Sequence, residues 1–410
     1  MTGIAPRTIA VSNALDAVLR RSQAKLLASL STRLGDLAFA EDVLQEASVS
    51  ALAHWGRSGI PASPEAWLMR AAINKSIDRF RARAREGYKT DAFAQLREDQ
   101  DIFDEAAEIP DERLRLIFAC CHPALEEKSR IALTLRVVCG LTTREIAAVF
   151  LDPEAAVGQR ISRTKQKIKA KGITFDVPDR QAWPDRLPAV LSSIYLIFTA
   201  GYVNEDCSTR DLCLEALFLM RLVQELHPAD AEIEGALALM LFTHARRKAR
   251  INKAGASVPI GEQDRKLWQI AEIEEGERLL TGALEANTPG PFQLKAAIAA
   301  AQMQEGGADW KQIALLYHQL WQHEPTPVIM LNWCVAVAEC GRVEEALQRL
   351  EMLHEPLAAF QPFHAARAEF LARLNRRQEA RCAYEAALRS APHEASRRFL
   401  EQRMAQLEPL

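Results

Sequence analysis

An internal period of 34 residues near the carboxyl end is the feature that most constrains the fold. It emerges when "ECGRVEEALQRLEML" is aligned with "RLNRRQEARCAYEAAL". Three pairs of positions coincide at this offset, namely Gly341 with Asn375, Ala346 with Ala380, and Leu350 with Tyr384. Small and apolar residues that recur at such a spacing indicate helical hairpins, each of which buries its faces only against its neighbours. The sequence therefore predicts a stack of helical hairpins in this part of the chain.

The same spacing is typical of the tetratricopeptide repeat. A looser copy, "DWKQIALLYHQLWQHEPTP", surrounds Ala314. We predict that residues 180–410 form a helical extension of this kind, an α-solenoid whose concave surface binds a protein or peptide ligand. Between the repeats, Val258 to Asp264 lacks helical patterning and is predicted to be an ordered loop.

A second informative stretch, "LTTREIAAVFLDPEAAVGQRISRTKQKIKAKG", spans residues 141–172. Thr142 and Glu145 have the spacing of a capping box, which predicts the start of a first helix. Asp152 followed by Pro153 predicts the start of a second, with the aspartate as N-cap and the proline at the first helical position. Two helices joined by a tight turn are the expected result.

The second of these helices is predicted to have distinct faces. Val157, Ile161, Thr164 and Ile168 form one apolar stripe, which should pack on the first helix. The outward side chains are Ala155, Gln159, Ser162, Arg163 and Gln166, flanked by Arg160, Lys165, Lys167 and Lys169. Amide and guanidinium groups can pair with base edges, and flanking cations can meet phosphates, so this is the layout of a helix-turn-helix recognition helix. The alternative is a solvated basic helix end that complements the helix dipole.

Charge is strongly segregated although the formal net charge is only −3. A basic block runs from residue 70 to 89, and an acidic stretch with nine Asp and Glu residues and one Arg follows between 91 and 112. The helix of 154–170 is the second basic block. This order is typical of two nucleic-acid-contacting modules joined by an acidic linker, which we place at 89–112.

The first module begins with amphipathic helices between residues 12 and 55. On "GDLAFAEDVLQEASVSALAHW", the predicted core side consists of Ala40, Val43, Leu44, Ala47, Ala51 and Trp55. The opposite face carries Asp42, Gln45, Glu46, Val49 and Leu52. Acids beside exposed aliphatic side chains favour a docking face for a protein partner over a DNA-binding face.

A basic helix, "EAWLMRAAINKSIDRFRARARE", is predicted to begin where Ser63 precedes Pro64. Its inner stripe is Ile73, Ile77, Phe80 and Ala84. Its polar side carries Asn74, Lys75, Asp78, Arg79, Arg81 and Arg85. This mixture suits contact with a DNA backbone and displaced bases. Trp67 is predicted to lie in the core, with a stacking platform for a base as the alternative.

The remaining chemistry-bearing residues favour a structural role. The chain has eight Cys without a C-x-x-C pair. The neighbours Cys120, Cys121 and His122 point in different directions on a helix, so core packing is favoured over a metal site. The sequence predicts no cofactor and no enzymatic activity. No stretch approaches the ~20 apolar residues that a membrane helix needs and no signal peptide is recognised, so we expect a cytoplasmic protein.

Three of these segments together resemble regions 2 and 4 of sigma-70 type initiation factors, specifically the extracytoplasmic-function (ECF) group. They are "LAFAEDVLQEASVSAL", "PEAWLMRAAINKSIDRFR" and the helix-turn-helix. A fourth, "LRLIFACCHPALEEKSRIALTLRVVCGLTTREIA", is similar to the subgroup with a long helical extension. The resemblance implies an all-α chain with a region 2 bundle at 12–88, a region 4 helix-turn-helix at 113–175 and the extension at 180–410.

The resemblance also implies partners and residue roles. The partners are core RNA polymerase, through its β′ clamp and β flap, and promoter DNA. Polymerase docking is implied for Asp42, Gln45, Glu46 and Val49. Contact with the −10 element is implied for Asn74, Lys75, Asp78, Arg79 and Arg81. Contact with the −35 element is implied for Thr143, Gln159, Arg160, Arg163 and Lys165. The "FLDPE" turn departs from the usual glycine-containing turn, so the register of the recognition helix stays open by about a residue.

Two other classes of function fit parts of the pattern. One is an adaptor or scaffold in which the repeats bind the partner and the basic helix is merely solvated. The other is a DNA-binding regulator that acts without polymerase. The predicted docking face distinguishes them, because neither alternative requires it.

Overall fold

The computed structural model describes residues 6–85, 112–150, 152–178, 180–203, 211–391 and 393–407. Within these ranges the regular structure is helical, as the sequence predicts, with one isolated antiparallel bridge between Ile251 and Ser257. The chain forms two compact units, Met1–Leu219 and Met220–Leu410. The predicted acidic linker at 89–112 lies outside the described residues except for Glu112.

The first three helices form a bundle. They are α1 (Pro6–Leu34), α2 (Leu37–Ser58) and α3 (Pro64–Arg85), and each packs against the other two. The residues predicted as the core side of α2, from Ala40 to Trp55, are all buried. The start of α3 at Pro64 is also confirmed.

On α3 the inner stripe of Ile73, Ile77 and Phe80 is buried, while the side chain of Ala84 lies outside the described residues. Trp67 is half-buried, and its ring lies 5.6 Å from that of Trp55. Trp67 therefore packs at the edge of the core and is not fully enclosed by it.

The next four helices contain the helix-turn-helix. They are α4 (Arg113–Cys120), α5 (Glu127–Val137), α6 (Thr143–Phe150) and α7 (Glu154–Ala170). Helix α7 packs against both α5 and α6. Cys120 and Cys121 are buried, as core packing predicts, and burial raises the pKa of both thiols. The described residues contain no cluster of three His, Cys, Asp or Glu side chains that would hold a metal ion.

Helix α8 (Trp183–Val203) begins the extension but packs against α4 and α5. The Trp183 ring meets that of Phe118 edge to face, with centroids 5.0 Å apart. The Arg186 guanidinium donates to the carbonyl of Phe118 at 2.7 Å. In α9 (Leu212–Leu226), the ring of Phe218 lies under the Arg113 guanidinium at 4.3 Å. The extension therefore starts as part of the same compact unit as the helix-turn-helix.

The expectation that no segment approaches membrane length was too strong. By length and composition, Trp183–Val203 could cross a membrane, since its Leu187–Val203 part is interrupted only by small or weakly polar residues. Half of its apolar 18-residue stretch is buried inside the protein. Together with the contacts of Trp183 and Arg186, this burial is that of a core helix.

The second unit continues the helical pattern through α18. Its helices are α10 (Ala231–Ala245), α11 (Ile270–Glu285), α12 (Pro291–Gln302), α13 (Trp310–His323), α14 (Pro327–Glu339), α15 (Val343–Glu351), α16 (Gln361–Arg373), α17 (Arg377–Arg389) and α18 (Glu394–Ala405). Neighbours from α12 onward pack in succession, which is the arrangement of a repeat array.

The 34-residue period corresponds to equivalent helical hairpins. Gly341 and Asn375 occupy the turns before α15 and α17, with φ of 85° and 58°. The left-handed region favours Gly and Asn, which explains the pairing seen in the sequence. Ala346 and Ala380 are fully buried at equivalent helix positions. The 34-residue period therefore arises from two recurring features, the left-handed turn and the buried alanine in the helix that follows it.

The predicted loop at 258–264 contains one 3₁₀ turn, Ile260–Glu262. The Ser257 amide donates to the carbonyl of Ala395 at 3.1 Å, and Arg403 pairs with Glu262 at 2.9 Å. The loop between α10 and α11 is thus attached to α18, as an ordered loop should be.

We expect Trp183→Ala to destabilise the first unit by about 3–5 kcal/mol, because the indole is buried against Phe118 and its removal leaves a cavity. Urea denaturation of the full chain measures this loss. Gln181→Ala, at an exposed position two residues away, is the control. Equal stability of the two variants would contradict the role given to Trp183.

Candidate nucleic-acid interface

The capping box at the start of α6 is confirmed. The Glu145 carboxylate accepts from the Thr142 amide and from its hydroxyl, each at 2.8 Å. The Glu145 amide in turn donates to the Thr142 hydroxyl oxygen at 3.2 Å. These bonds satisfy amides that the first turn of a helix leaves without partners. They fix where the first helix of the helix-turn-helix begins.

The predicted start of α7 was wrong by one residue. Pro153 occupies the N-cap position and Glu154 is the first helical residue. The Asp152 carboxylate does not cap the helix, because it accepts from Arg160 at 2.8 Å and pairs with Lys128 at 3.3 Å. Since Lys128 belongs to α5, Asp152 links the recognition helix to a helix outside the helix-turn-helix.

The faces of α7 agree with the periodicity. Val157, Ile161, Thr164 and Ile168 are buried, and the five residues predicted to point outward are exposed. Thr143 is half-buried, and its methyl group lies 3.8 Å from where a β-carbon on Gly158 would be. Its side chain therefore lies where α6 meets α7.

The polar side chains of α7 differ in accessibility. Gln159 and Arg163 are exposed, and within the described ranges Arg163 has no ion-pair partner. They line a shallow surface concavity of about 410 Å³ that also includes Arg160 and Lys167. Arg160 is already paired with Asp152. Gln159 and Arg163 are thus the two predicted −35 residues whose polar groups most readily reach a ligand.

Two lysines of α7 contact the first module. Lys165 forms an ion pair with Glu41, and Lys169 with Asp36 at 2.6 Å. The sequence gives no signal for these pairs, since their members are more than 120 residues apart. Lys165 was predicted as a −35 contact, and here its ammonium group already has an anionic partner.

On the first module, Asp42, Gln45 and Val49 are exposed and Glu46 is half-buried. Arg79 of α3 pairs with Glu46 and lies 3.5 Å from Asp42. The predicted docking residues of α2 thus lie beside a residue predicted to contact the −10 element.

The remaining predicted −10 residues are distributed along α3. Lys75 lines the same concavity, of about 430 Å³, as the α2 acids and Arg79. Asn74 and Asp78 are exposed, and Arg81 lies 3.5 Å from Asp78 within the helix. The structure therefore divides this set, since Lys75 and Arg79 face α2 while the other three are open to solvent.

Comparison with known proteins assigns both modules. Residues 18–86 match the family described as Sigma-70 region 2, and residues 115–168 match Sigma-70, region 4. Residues 186–284 match a family of unknown function, DUF6596.

Two relatives cover different shares of the chain. An uncharacterized protein of Rhizobium meliloti (strain 1021) is 37% identical over 405 residues, covering 96% of each chain. The RNA polymerase sigma-H factor of Pseudomonas aeruginosa is 32% identical over 165 residues, which are 38% of this chain and 84% of that protein.

A helical bundle followed by a capped helix-turn-helix, each matching a sigma-70 region, defines a transcription initiation factor that recognises promoters. The chain belongs to the sigma-70 family of RNA polymerase sigma factors and is of the ECF type.

Thr142→Ala should cost about 0.5–2 kcal/mol of stability, because it removes the hydroxyl that caps α6 and leaves the Glu145 amide without its partner. Urea denaturation of the full chain is the measurement. Arg144→Ala, at an exposed position of the same helix, should change stability little. A Thr142 variant as stable as the Arg144 variant would show that the capping box does not stabilise the helix-turn-helix.

Proposed function

We propose that the α2 face of Asp42, Gln45, Glu46 and Val49 docks on core RNA polymerase, that α3 contacts the −10 element and that α7 reads the −35 element. The observation that carries this proposal is the coexistence of two surfaces in one compact unit. One surface is acidic and aliphatic on α2, and the other is basic and amide-bearing on α7. A protein that only binds DNA requires the second surface alone.

The chemistry of the α2 face supports a protein partner. Val49 is 64% exposed and Leu52 44% exposed, and acidic groups lie beside them. Exposed aliphatic side chains next to charge are typical of interfaces with a buried apolar centre and a charged rim. The partner surface should therefore be basic around an apolar patch.

On α3, Asn74, Asp78 and Arg81 are open to solvent and suit contact with displaced bases and backbone of the −10 element. Unstacking a base costs on the order of a few kcal/mol, and contacts to the displaced base and its backbone offset this cost. Binding energy alone can therefore open a promoter, and no step requires covalent chemistry.

On α7, Gln159 and Arg163 have the chemistry of base readers, because an amide pairs well with adenine and a guanidinium with guanine. Lys167 beside them would meet phosphate. Thr143 and Arg160 are placed less directly, since one lies between α6 and α7 and the other pairs with Asp152. We assign these two to backbone contact and to orientation of the helix.

We further propose that the extension modulates the activity of region 4. The support is the packing of α8 on α4 and α5, because α5 in turn packs against the recognition helix α7. The repeat array at 220–410 would receive a protein or peptide signal, as arrays of this kind typically do.

Reversal of the docking charges provides the first test. Asp42→Lys combined with Glu46→Lys should reduce transcription with core polymerase at least tenfold, because the complementary charges of the interface are inverted. Affinity of the chain alone for DNA should not fall, because the change adds positive charge.

Adding Arg79→Glu to this double variant supplies the matched control. It restores attraction between α2 and α3 without restoring the docking charge. Because Arg79 is itself a predicted −10 contact, the readout for the triple variant is its affinity for core polymerase, which should stay low. Full recovery in the triple variant would mean that the charges only stabilise the bundle, and unchanged transcription in the double variant would contradict docking through this face.

A second test separates base reading from phosphate contact. Arg163→Ala should weaken binding by about 1–3 kcal/mol at promoters with the preferred −35 sequence and much less at others. Ser162→Ala, at the neighbouring exposed position, is the control. Fluorescence anisotropy measures the affinity of each variant for duplexes with the preferred −35 sequence and for duplexes with substituted −35 positions. An equal loss on every sequence would show that Arg163 contacts only phosphate.

A further inference from the structure

The loop between α10 and α11, residues 246–269, concentrates positive charge in the second unit. It contains seven Lys and Arg residues against two acids, whereas the rest of residues 220–410 has fifteen Lys and Arg residues against twenty-three acids. Four cations of the loop are exposed, namely Lys248, Lys253, Arg265 and Lys266. The loop is therefore a basic surface on an otherwise acidic unit.

The first part of this loop is a hairpin that presents Lys253 at its tip. An isolated antiparallel bridge closes the hairpin at residues 251 and 257. Within it, the side-chain oxygen of Asn252 accepts from the amides of Ala254 and Ala256, each at 3.0 Å. Such bonds fix a turn locally, so the lysine extends from an ordered backbone.

Helix α18 holds the hairpin in place and adds cations of its own. The Arg398 guanidinium donates to the carbonyl of Ala254 at 2.7 Å, across 144 residues of sequence. Gly255 has a φ of 76°, and a β-carbon there would lie 2.5 Å from the same guanidinium, so glycine lets the two segments approach. Arg403 of α18 pairs with Glu262 of the loop. The basic surface is therefore built from two distant segments.

The two segments enclose a concavity of about 580 Å³. Its lining includes the cations Lys253 and Arg403 and the side-chain amides of Asn252, Gln402 and Gln406. Cationic and amide donors of this kind make most contacts to the phosphates and sugars of DNA. The concavity thus offers the donors that a nucleic-acid backbone accepts from.

The acids of the loop leave its exposed lysines unpaired. Glu262 is engaged by Arg403, and the Asp264 carboxylate accepts from the backbone amide of Lys266 at 3.0 Å. Within the described residues, neither the Lys253 nor the Lys266 ammonium group has an ion-pair partner. Their charge is available to an external anion.

Duplex DNA is the polyanion that best matches this surface. It carries one negative charge per about 1.7 Å of helix axis, and a cluster of cations on one face is the usual footprint of a protein that binds it. Because the chain belongs to a family that recognises promoters, duplex DNA is present wherever it acts.

We propose that the surface formed by the α10–α11 loop and α18 binds the phosphate backbone of duplex DNA. It contacts phosphates without reading bases, so the extension adds sequence-independent affinity to that of the two sigma modules. The proposal does not depend on the roles proposed above for α3 and α7.

The test reverses two charges of this surface in the full-length chain, with Lys253→Glu and Lys266→Glu combined. The matched control combines Lys311→Glu with Arg377→Glu, which changes the net charge of the same unit equally at exposed positions outside the concavity. All four side chains are exposed, so both variants should retain the stability of wild type in urea denaturation.

The first readout is affinity for a duplex of random sequence, about 40 base pairs long, over a range of salt concentrations and without polymerase. The loop variant should bind roughly fivefold or more weakly at low salt. The slope of log affinity against log salt should become shallower by about 2, since each lost phosphate contact contributes about 0.9. The control should keep the wild-type slope.

Three results of this readout would contradict the proposal. Equal losses in the loop variant and the control would make the effect one of net charge. Unchanged affinity and slope in the loop variant would mean that the surface serves another partner, such as an acidic protein. A loss confined to duplexes with the preferred −35 sequence would assign the effect to base reading by α7, which the Arg163 variant tests separately.

The second readout is direct contact. A photoactivatable non-natural amino acid at Ala254, which is exposed at the hairpin tip, should crosslink to the same duplex on illumination. The same group at Gln312, an exposed position of α13, should not. Absence of a crosslink at Ala254, or crosslinks of equal yield at both positions, would overturn DNA binding by this surface.

Discussion

Burial of the apolar stripe on α7 is the constraint on which the account of this protein depends. Val157, Ile161 and Ile168 are removed from water, and each such side chain stabilises the packed helix by about 1.5–3 kcal/mol. Because these positions face inward, rotation of the helix about its axis is fixed. Gln159 and Arg163 must then face outward, and the lysines must lie on the flanks. The position of the proposed DNA-reading surface thus follows directly from core packing.

Much of the fold could be predicted from local patterns. The capping box at Thr142, the helix start at Pro64 and the stripe on α7 depend on spacings of a few residues, and the structure confirms all three. The 34-residue period also depended on local physics, because Gly341 and Asn375 occupy left-handed turns. Such patterns can be recognised in a single sequence because each depends only on residues within one turn or one helix.

Long-range charge pairing could not be predicted. The interpretation of Asp152 as an N-cap was wrong because its carboxylate pairs with Arg160 and with Lys128, which is 24 residues away in sequence. The pairing of Arg79 with the α2 acids and of Lys165 with Glu41 depends on how the helices pack. Helix periodicity specifies the face of a side chain but not the partner that meets it. The candidate site was therefore predictable as a set of faces and not as a set of contacts.

We expect this ECF-type sigma-70 factor to direct initiation by core RNA polymerase. The most direct measurement is transcription in vitro from a library of genomic fragments, with the purified full-length chain and core polymerase together and each alone. We expect discrete new transcripts that require both proteins and whose start sites share two sequence elements upstream. Transcripts that are absent, or unchanged when the chain is omitted, would contradict it.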